Sequence, residues 1–210
     1  MDFAVINIQG KETGKKVNFP VDLAEATPND HVIWLDVKHY LAAQRQGTHK
    51  AKEKAEMAYS TKKIKKQKGT GGARAGSIKS GVFVGGGRIF GPKPRDYSFK
   101  LNKKVKQLAR QSAVAYKAKE NALIFLDEFS LAAPKTKEFV SIMKNLKVEE
   151  AKTLFLLPNE EKTQNIHLSA RNIPNAKVLH VNEVNTYEIM NADKLVIGVK
   201  AVDTLVELIS

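Results

Sequence analysis

The hydrophobic positions at the start of the chain have the pattern of a short β-hairpin. The segment from Phe3 to Ile8 is mostly apolar, which is typical of a strand. A second segment from Lys15 to Phe19 can pair with it across a turn that contains Gly10 and Gly14. We therefore predict two strands here.

Two helices are predicted on either side of the middle of the chain. The first begins at Asn29 or Asp30, whose side chains can cap it, runs to about Gln46 and ends at Gly47. Its predicted buried stripe, at helical spacing, is Ile33, Val37, Tyr40 and Leu41. The second begins after Asn102, another good cap, and its stripe of small residues is Val105, Leu108, Ala109, Ser112, Ala113 and Tyr116. One face should pack and another should be basic, because the following residues lie mostly off the stripe: Lys104, Lys106, Arg110 and Lys117.

Short apolar runs and helical repeats alternate in the last ninety residues. The predicted strands are Leu123 to Leu126, Thr153 to Leu157, Lys177 to Val181 and Lys194 to Val199. The helical repeats are Phe139, Ile142, Met143 and Leu146, and later Val202, Leu205, Val206 and Ile209. Continuous apolar strands that alternate with helices are typical of a mainly parallel sheet covered on both faces. The predicted fold class is therefore α/β.

Between Gly47 and about Pro94, neither a strand nor a helix period persists for two turns. The glycine clusters GTGGARAG at 69–76 and GGG at 85–87 offer little side chain to bury. Loops longer than about 12–15 residues inside a compact domain are usually functional or disordered. We therefore expect one globular α/β domain made of residues 1–46 and 95–210, interrupted by an extended basic loop at 47–94.

The charge of the chain is concentrated around this loop. Residues 38–110 carry twenty basic and three acidic side chains, whereas 1–37 carry three and six, and 111–210 carry twelve and thirteen. Within 57–95 there are ten Lys or Arg residues, no acidic residue and nine of the thirteen glycines. Such a block repels itself and finds its counterions on another molecule, so the expected partner is a polyanion.

Composition narrows the setting of the protein. The chain has no cysteine, which rules out disulfides and thiolate metal sites and fits a reducing compartment. No apolar run approaches the roughly 20 residues that span a bilayer, and the start lacks the pattern of a signal peptide. We expect a soluble, cytoplasmic protein with no membrane partner.

Nucleotide-binding and catalytic motifs fail on spacing. The dinucleotide fingerprint would need a glycine where Arg74 stands, and the Gly76 and Gly81 pair lacks the Lys and Ser/Thr of a P-loop. Asp127 and Glu128 follow a predicted strand, where α/β enzymes place acids, but a solvated loop start is the favoured interpretation. The five histidines show no metal-ligand spacing, so we predict no metal site. Because the nucleotide-binding motifs fail as well, we predict no cofactor and no catalytic residues.

A nucleic acid is the favoured partner for the basic loop. Lys and Arg neutralise phosphates, glycines allow close approach of the backbone, and interleaved aromatics such as Tyr59, Phe83 and Phe90 can stack on bases. A solvated insertion without a partner is the alternative, although such segments usually mix both charges. RNA is preferred over DNA because no helix-turn-helix or zinc pattern is present to enter a major groove.

Three strings in this region are similar to a known family. They are RQGTHKAK at 45–52, KGTGGARAGS at 68–77 and GGGRIFGPKPRDYSFKLNKK at 85–104. In order and spacing they resemble the bacterial ribosomal large-subunit protein four family, and the remaining α/β pattern fits its length. The resemblance implies a non-enzymatic constituent of the large ribosomal subunit that binds 23S rRNA early in assembly. It also implies that the loop lines the peptide exit tunnel near large-subunit protein twenty-two.

The resemblance and the basic pattern together predict the residues that contact RNA. They are Arg45, His49, Lys50, Lys62, Lys63, Lys65, Lys66, Lys68, Gly69, Thr70, Gly71, Arg74, Lys79, Arg88, Lys93, Arg95, Lys103 and Lys104. The chain departs from the family at MAYSTKKIKKQ (57–67), where many members have a glycine- and arginine-rich run with a Trp, and at Gly72, where Arg is common. The tip contacts should therefore rely more on lysine point charges than on bidentate arginine.

Two other functions are compatible with the sequence. One is an α/β enzyme acting on RNA or nucleotides, with Asp127 and Glu128 as its acids. The other is a free regulatory RNA-binding protein that uses the same basic loop.

Overall fold

The computed structural model describes residues 2–20, 27–160 and 163–209. The chain divides into two compact units: Met1–Leu41 with Lys100–Ser210, here called the α/β unit, and Ala42–Phe99, here called the loop unit. Each unit is described separately.

The α/β unit begins with the predicted hairpin, but its strands have other bounds. Strand β1 is Asp2–Ile6 and β2 is Glu12–Asn18, and the two run antiparallel. The expected bounds, Phe3 to Ile8 and Lys15 to Phe19, are wrong because Asn7 closes the turn early: its Oδ1 accepts hydrogen bonds from the backbone N–H groups of Gln9 and Lys11, at 2.9 and 3.0 Å. The turn therefore lies before Gly14, which becomes part of β2.

Four further strands complete a six-stranded sheet of order β2-β1-β3-β6-β4-β5. They are β3 (Leu123–Leu126), β4 (Thr153–Leu157), β5 (Ala176–His180) and β6 (Lys194–Gly198). All neighbours except β1 and β2 are parallel. The prediction of a mainly parallel α/β sheet is confirmed, and β3 and β4 have the predicted bounds. β5 starts and ends one residue earlier than predicted because Val181 begins a short 3-10 turn, and β6 ends at Gly198.

Alternate residues of the central strands point to opposite faces of the sheet, and both faces are covered. On one face Leu154 and Leu156 of β4 belong to a cluster with Ala113, Ile189 and Leu205. On the other face the intervening β4 residues pack in a second cluster, whose members include Phe155, Leu157, Phe139, Met143 and Ile166. The sheet is thus the centre of a three-layer core.

Helices supply the outer layers. Within the described residues the α-helices are α1 (Asp30–Ala43), α2 (Lys103–Lys119), α3 (Thr136–Asn145), α4 (Thr163–Ala170), α5 (Thr186–Asn191) and α6 (Ala201–Ile209). The α3 and α6 repeats are confirmed. Helices α4 and α5 were not predicted, since six to eight residues are too few for a helical period to stand out. Helix α1 ends at Ala43, three residues before the expected Gln46.

The buried stripe predicted for α1 is partly wrong. Ile33 is buried, but Leu41 is 44% exposed, and Val37 and Tyr40 are only half-buried. The contact face of α1 is partly polar, because Asp36 accepts a 2.6 Å hydrogen bond from the Thr186 hydroxyl at the start of α5. The predicted cap is present, since Asn29 Oδ1 accepts a hydrogen bond from the Val32 N–H at 3.2 Å.

Helix α2 also corrects two expectations. The Asn102 side chain makes no cap hydrogen bond, although its backbone carbonyl accepts hydrogen bonds from the N–H groups of Val105 and Lys106. Lys117 is 6% exposed and forms a 3.1 Å ion pair with Glu120, whereas Leu108 is 43% exposed. The buried face is narrow and made of small residues, so the stem of Lys117 packs while its ammonium reaches a carboxylate at the helix end.

Candidate nucleic-acid interface

Backbone hydrogen bonds join the two limbs of the loop unit at its base. The Arg95 N–H donates to the Gly47 carbonyl at 3.1 Å, the Ala51 N–H donates to the Pro92 carbonyl at 3.0 Å, and the Arg88 N–H donates to the Lys52 carbonyl at 2.9 Å. Residues 47–52 and 88–95 are therefore held side by side although neither is a regular strand. The basic loop has a defined base.

Gly47 is the position at this base that most requires glycine. Its φ is +66°, in the left-handed region that side chains rarely adopt, and a Cβ there would collide with the Arg95 carbonyl oxygen. The backbone conformation at the start of the loop therefore requires glycine. The sequence placed the end of the first helix near this glycine, but not its pairing with Arg95.

The tip of the loop is closed by two hydrogen bonds. The Ser77 hydroxyl donates to the Ser60 carbonyl at 2.9 Å, and the Ile64 N–H donates to the Gly76 carbonyl at 3.0 Å. Between these bonds every residue from 61 to 74 is exposed. Gly69 and Gly71 adopt left-handed φ values of +83° and +64°, which lets the chain reverse.

The tip brings together half of the predicted RNA-contacting residues. Those that lie exposed on it are Lys62, Lys63, Lys65, Lys66, Lys68, Gly69, Thr70, Gly71 and Arg74. Lys79 follows the tip in sequence and is half-buried, and Arg88 is exposed on the limb that returns to the base. No acidic residue stands between 57 and 95, so no carboxylate of the tip competes with an outside anion for these cations.

A second group of predicted residues surrounds Tyr97 at the base. The Arg45 guanidinium carbon lies 3.7 Å from the centre of the Tyr97 ring and that of Arg95 lies 4.4 Å away. His49 stacks on the same ring with the centroids 6.4 Å apart. The Arg95 guanidinium, which hydrogen-bonds the phenol, holds the pKa of Tyr97 below its usual value. The sequence predicted these three residues as RNA contacts but did not predict that they gather around Tyr97.

Two predicted contacts are paired within the protein. Lys50 forms an ion pair with Glu56, and Lys93 forms one with Glu53 at 2.5 Å. The two glutamates belong to the capping box of a short 3-10 helix, Lys54–Glu56. Hydrogen bonding to Glu53 raises the pKa of Lys93, and hydrogen bonding to Lys50 lowers the pKa of Glu56. All four side chains are solvent-accessible, so these pairs are weak and the lysines remain available to phosphate.

Lys103 and Lys104 belong to the α/β unit, in the first turn of α2, where both are exposed. A cation at a helix N-terminus meets the positive end of the helix dipole, which is unfavourable. An outside anion would relieve that repulsion. The two lysines are therefore suitably placed for phosphate contact.

Asp127 and Glu128 line a cavity of about 330 Å³ at the carboxyl ends of β3, β4 and β6. Asp127 forms a 3.1 Å ion pair with Lys15, which lowers its pKa, and Glu128 forms a 2.8 Å ion pair with Lys200. Lys200 also lies 3.4 Å from Glu160. Both carboxylates are paired with lysines of the same chain, and the lowered pKa of Asp127 is the opposite of the raised pKa that a catalytic general acid needs.

Two further properties concern the described residues only. In residues 2–20, 27–160 and 163–209, no group of three or more His, Asp or Glu residues is arranged to hold a metal ion. Across the same ranges no helix has both the length and the apolar character needed to cross a bilayer.

The fold and the loop unit define a class of protein: a small α/β scaffold that carries a long, cationic, glycine-rich loop and no evident catalytic constellation among its described residues. A family model described as "Ribosomal protein L4/L1 family" matches residues 17–208. The chain belongs to this family, a family of ribosomal proteins. The resemblance inferred from the loop motifs is confirmed.

Three related proteins agree with this assignment. The chain is 56% identical over 210 residues to "Large ribosomal subunit protein uL4" of Cytophaga hutchinsonii, covering 100% of both chains. It is 57% identical over 197 residues to the protein of the same name from Parabacteroides distasonis, covering 94% of this chain and 93% of the relative. With the one from Bacteroides fragilis it shares 53% identity over 208 residues, at 98% and 99% coverage.

Proposed function

We propose that this protein is a structural constituent of the cytoplasmic large ribosomal subunit and that it binds 23S rRNA through the loop unit. The exposed tip carries the proposal: five lysines and Arg74 stand within residues 62–74 with no acidic residue nearby in sequence. An extended cationic segment of this kind suits the irregular, phosphate-rich interior of a folded RNA. The membership of the ribosomal family supports the same partner.

The mechanism of binding follows from charge and geometry. Each lysine that approaches a phosphate releases a condensed counterion, which favours association and makes it depend on salt. Left-handed Gly69 and Gly71 reverse the chain without adding side chains, so the tip can enter a narrow space between RNA segments. Binding should then order the loop further by neutralising its self-repulsion.

The two parts of the chain predicted from the sequence have different roles in this proposal. The α/β domain, residues 1–46 and 95–210, is a rigid platform on the outside of the subunit, and residues 47–94 reach inward. The inner part of the loop lines the peptide exit tunnel near large-subunit protein twenty-two. Binding occurs early in assembly, and neither DNA nor a membrane is a partner.

Competition binding tests the proposal most simply. Full-length protein is mixed with labelled 23S rRNA at moderate salt, and unlabelled 23S rRNA or duplex DNA of equal phosphate content is added. We expect the rRNA to compete far better than the DNA at equal phosphate, because the loop reads an irregular shape and not charge alone. Equal competition by both polymers would reduce the loop to a non-specific polycation and contradict the proposal.

The two alternatives make other predictions. An α/β enzyme that uses Asp127 and Glu128 would show magnesium-dependent turnover of RNA or nucleotides that is lost in Asp127→Asn. The ion pairs of both carboxylates with lysines give no support to that role. A free regulatory RNA-binding protein would remain outside the ribosomal fractions of a lysate.

A further inference from the structure

The loop unit presents an aromatic side chain that the cationic contacts do not explain. Phe90 is 102% exposed, and its backbone is in the left-handed region with φ +53°. A bulky residue in that region is an outlier that persists only where the surrounding structure holds it. Such outliers cluster at binding sites, so Phe90 needs a physical explanation.

The backbone around Phe90 is fixed on both sides. The Arg88 N–H donates to the Lys52 carbonyl at 2.9 Å, and the Pro92 carbonyl accepts from the Ala51 N–H at 3.0 Å. Five residues, 88–92, thus lie opposite the two residues 51 and 52, and the extra ones must bulge outward. At the apex of this bulge the ring of Phe90 points into solvent.

The neighbours of Phe90 show that the bulge is built for close packing below the ring. A Cβ on Gly91 would lie 2.5 Å from the Ala51 Cβ, so glycine lets the two limbs touch directly under the bulge. On the other side, the Ile89 side chain lies against Gly81, where a Cβ would be 2.8 Å from its Cγ1. Ile89 is 59% exposed but contacts Gly81, whereas Phe90 is fully exposed.

We propose that Phe90 stacks on an unpaired base of the bound RNA; this inference rests on the proposed function. An apolar pocket of a partner protein could also accept an aromatic ring, but the surroundings favour RNA. Arg88, Lys93 and Arg95 flank the ring in sequence, and no acidic residue lies between 57 and 95. A base offers a π-face to the ring while its own phosphates meet these cations.

A hollow next to Phe90 in sequence extends the same surface. It has a volume of about 330 Å³ and is lined by Gly91, Pro92, Lys93, Arg95 and Tyr97. Its lining combines a ring and a proline with two cations, which suits the base and phosphate of a neighbouring nucleotide. The stacked base at Phe90 would then continue into a bound single-stranded segment.

The test measures the affinity of full-length protein for naked 23S rRNA at several salt concentrations. Phe90→Ala should weaken binding by about 5- to 150-fold, the usual effect of losing one base–aromatic stack, with an unchanged salt slope because the ring contacts no phosphate. Phe90→Tyr, which keeps a π-face, should bind like the parent protein. Val84→Ala is the matched control, since Val84 is apolar and 105% exposed but has no ring.

The outcomes separate this inference from the proposed function. If the parent protein binds rRNA in a salt-dependent way and Phe90→Ala binds equally well, stacking is wrong and the proposed function stands. If the parent protein does not bind rRNA, the proposed function fails and the inference with it. Equal weakening by Val84→Ala would indicate a general apolar contact and would also overturn stacking.

A fluorescence reporter tests the ring directly. The only tryptophan of the chain is Trp34, so Trp34→Phe combined with Phe90→Trp places a single indole at the bulge. Stacking on a base should quench its emission when rRNA is added. Unquenched emission at saturating rRNA would contradict stacking, and Trp34→Phe alone is the blank.

Discussion

Replacing the five lysines of the tip by glutamine should change how binding to rRNA depends on salt. The variant carries Gln at 62, 63, 65, 66 and 68, which lowers the formal net charge from +13 to +8. All five side chains are exposed, so each can reach a phosphate. Each lost contact removes about 0.9 from the logarithmic salt slope on duplex-like RNA and about 0.7 on single strands. The slope should therefore fall by about 3.5 to 4.5 if all five contact phosphate.

The stability of the fold should not change with this variant. None of the five lysines belongs to either hydrophobic cluster. Lys63 donates a 2.7 Å hydrogen bond to the side chain of its exposed neighbour Gln67, so little is lost with it. The free energy of unfolding should stay within about 0.5 kcal/mol of the parent value. Weak binding of this variant can then be attributed to lost charge and not to unfolding.

Filter binding between 50 and 300 mM salt, about the range over which such slopes are read, provides the measurement. A matched control replaces five exposed lysines of the α/β unit: Lys11, Lys16, Lys119, Lys137 and Lys152. The control has the same net charge as the tip variant. If its salt slope changes less than that of the tip variant, the phosphate contacts belong to the tip. An unchanged slope in the tip variant would refute the reasoning, because lysines that contact phosphate must release counterions when they bind.

Three further substitutions or conditions test other parts of the structure. Gly47→Ala should open the base of the loop and increase trypsin cleavage within 42–99, because left-handed φ costs a side chain about 1–2 kcal/mol and the methyl would strike the Arg95 carbonyl. Phe155→Ala should lower the free energy of unfolding by about 3–5 kcal/mol in urea, since the ring is fully buried. The Lys15 pair lowers the pKa of Asp127 from 3.8, so its contribution to stability is present above that pH and is lost as the pH falls through the lowered pKa.

Each of these tests has a control. Gly76→Ala places a methyl in open space without a left-handed φ and should leave cleavage unchanged. Lys15→Gln should reduce stability near pH 7 but not in acid below the lowered pKa of Asp127, where the carboxyl group is protonated in both proteins. A difference that persists in acid would mean that Lys15 stabilises the fold by packing and not by charge. An effect of Phe155→Ala below 1 kcal/mol would contradict its place in the core.

The sequence predicted the class of the fold because apolar runs are strong signals. Strands β3 and β4 are continuous apolar segments, and both have the predicted bounds. The order of the strands was not predictable from the same pattern. β6 is last in sequence yet lies between β3 and β4, since its residues are buried on both faces and fill the centre of the sheet.

The candidate interface was predictable where it depends on charge and not where it depends on three-dimensional contacts. The cationic tip could be read directly from its lysines and glycines. The grouping of Arg45, His49 and Arg95 around Tyr97 could not, because it joins residues some fifty positions apart. Nor could the sequence reveal that Phe90 is held in a left-handed conformation, which depends on hydrogen bonds between the limbs.

Sedimentation of a cell lysate tests the central claim most directly. Tagged full-length protein is expressed in its own host, the lysate is separated on a sucrose gradient at moderate salt, and each fraction is probed for the tag. We predict that the protein migrates with the large ribosomal subunit, and that the variant lacking the five tip lysines is depleted from that fraction. Recovery of the parent protein only as free material at the top of the gradient would contradict the account.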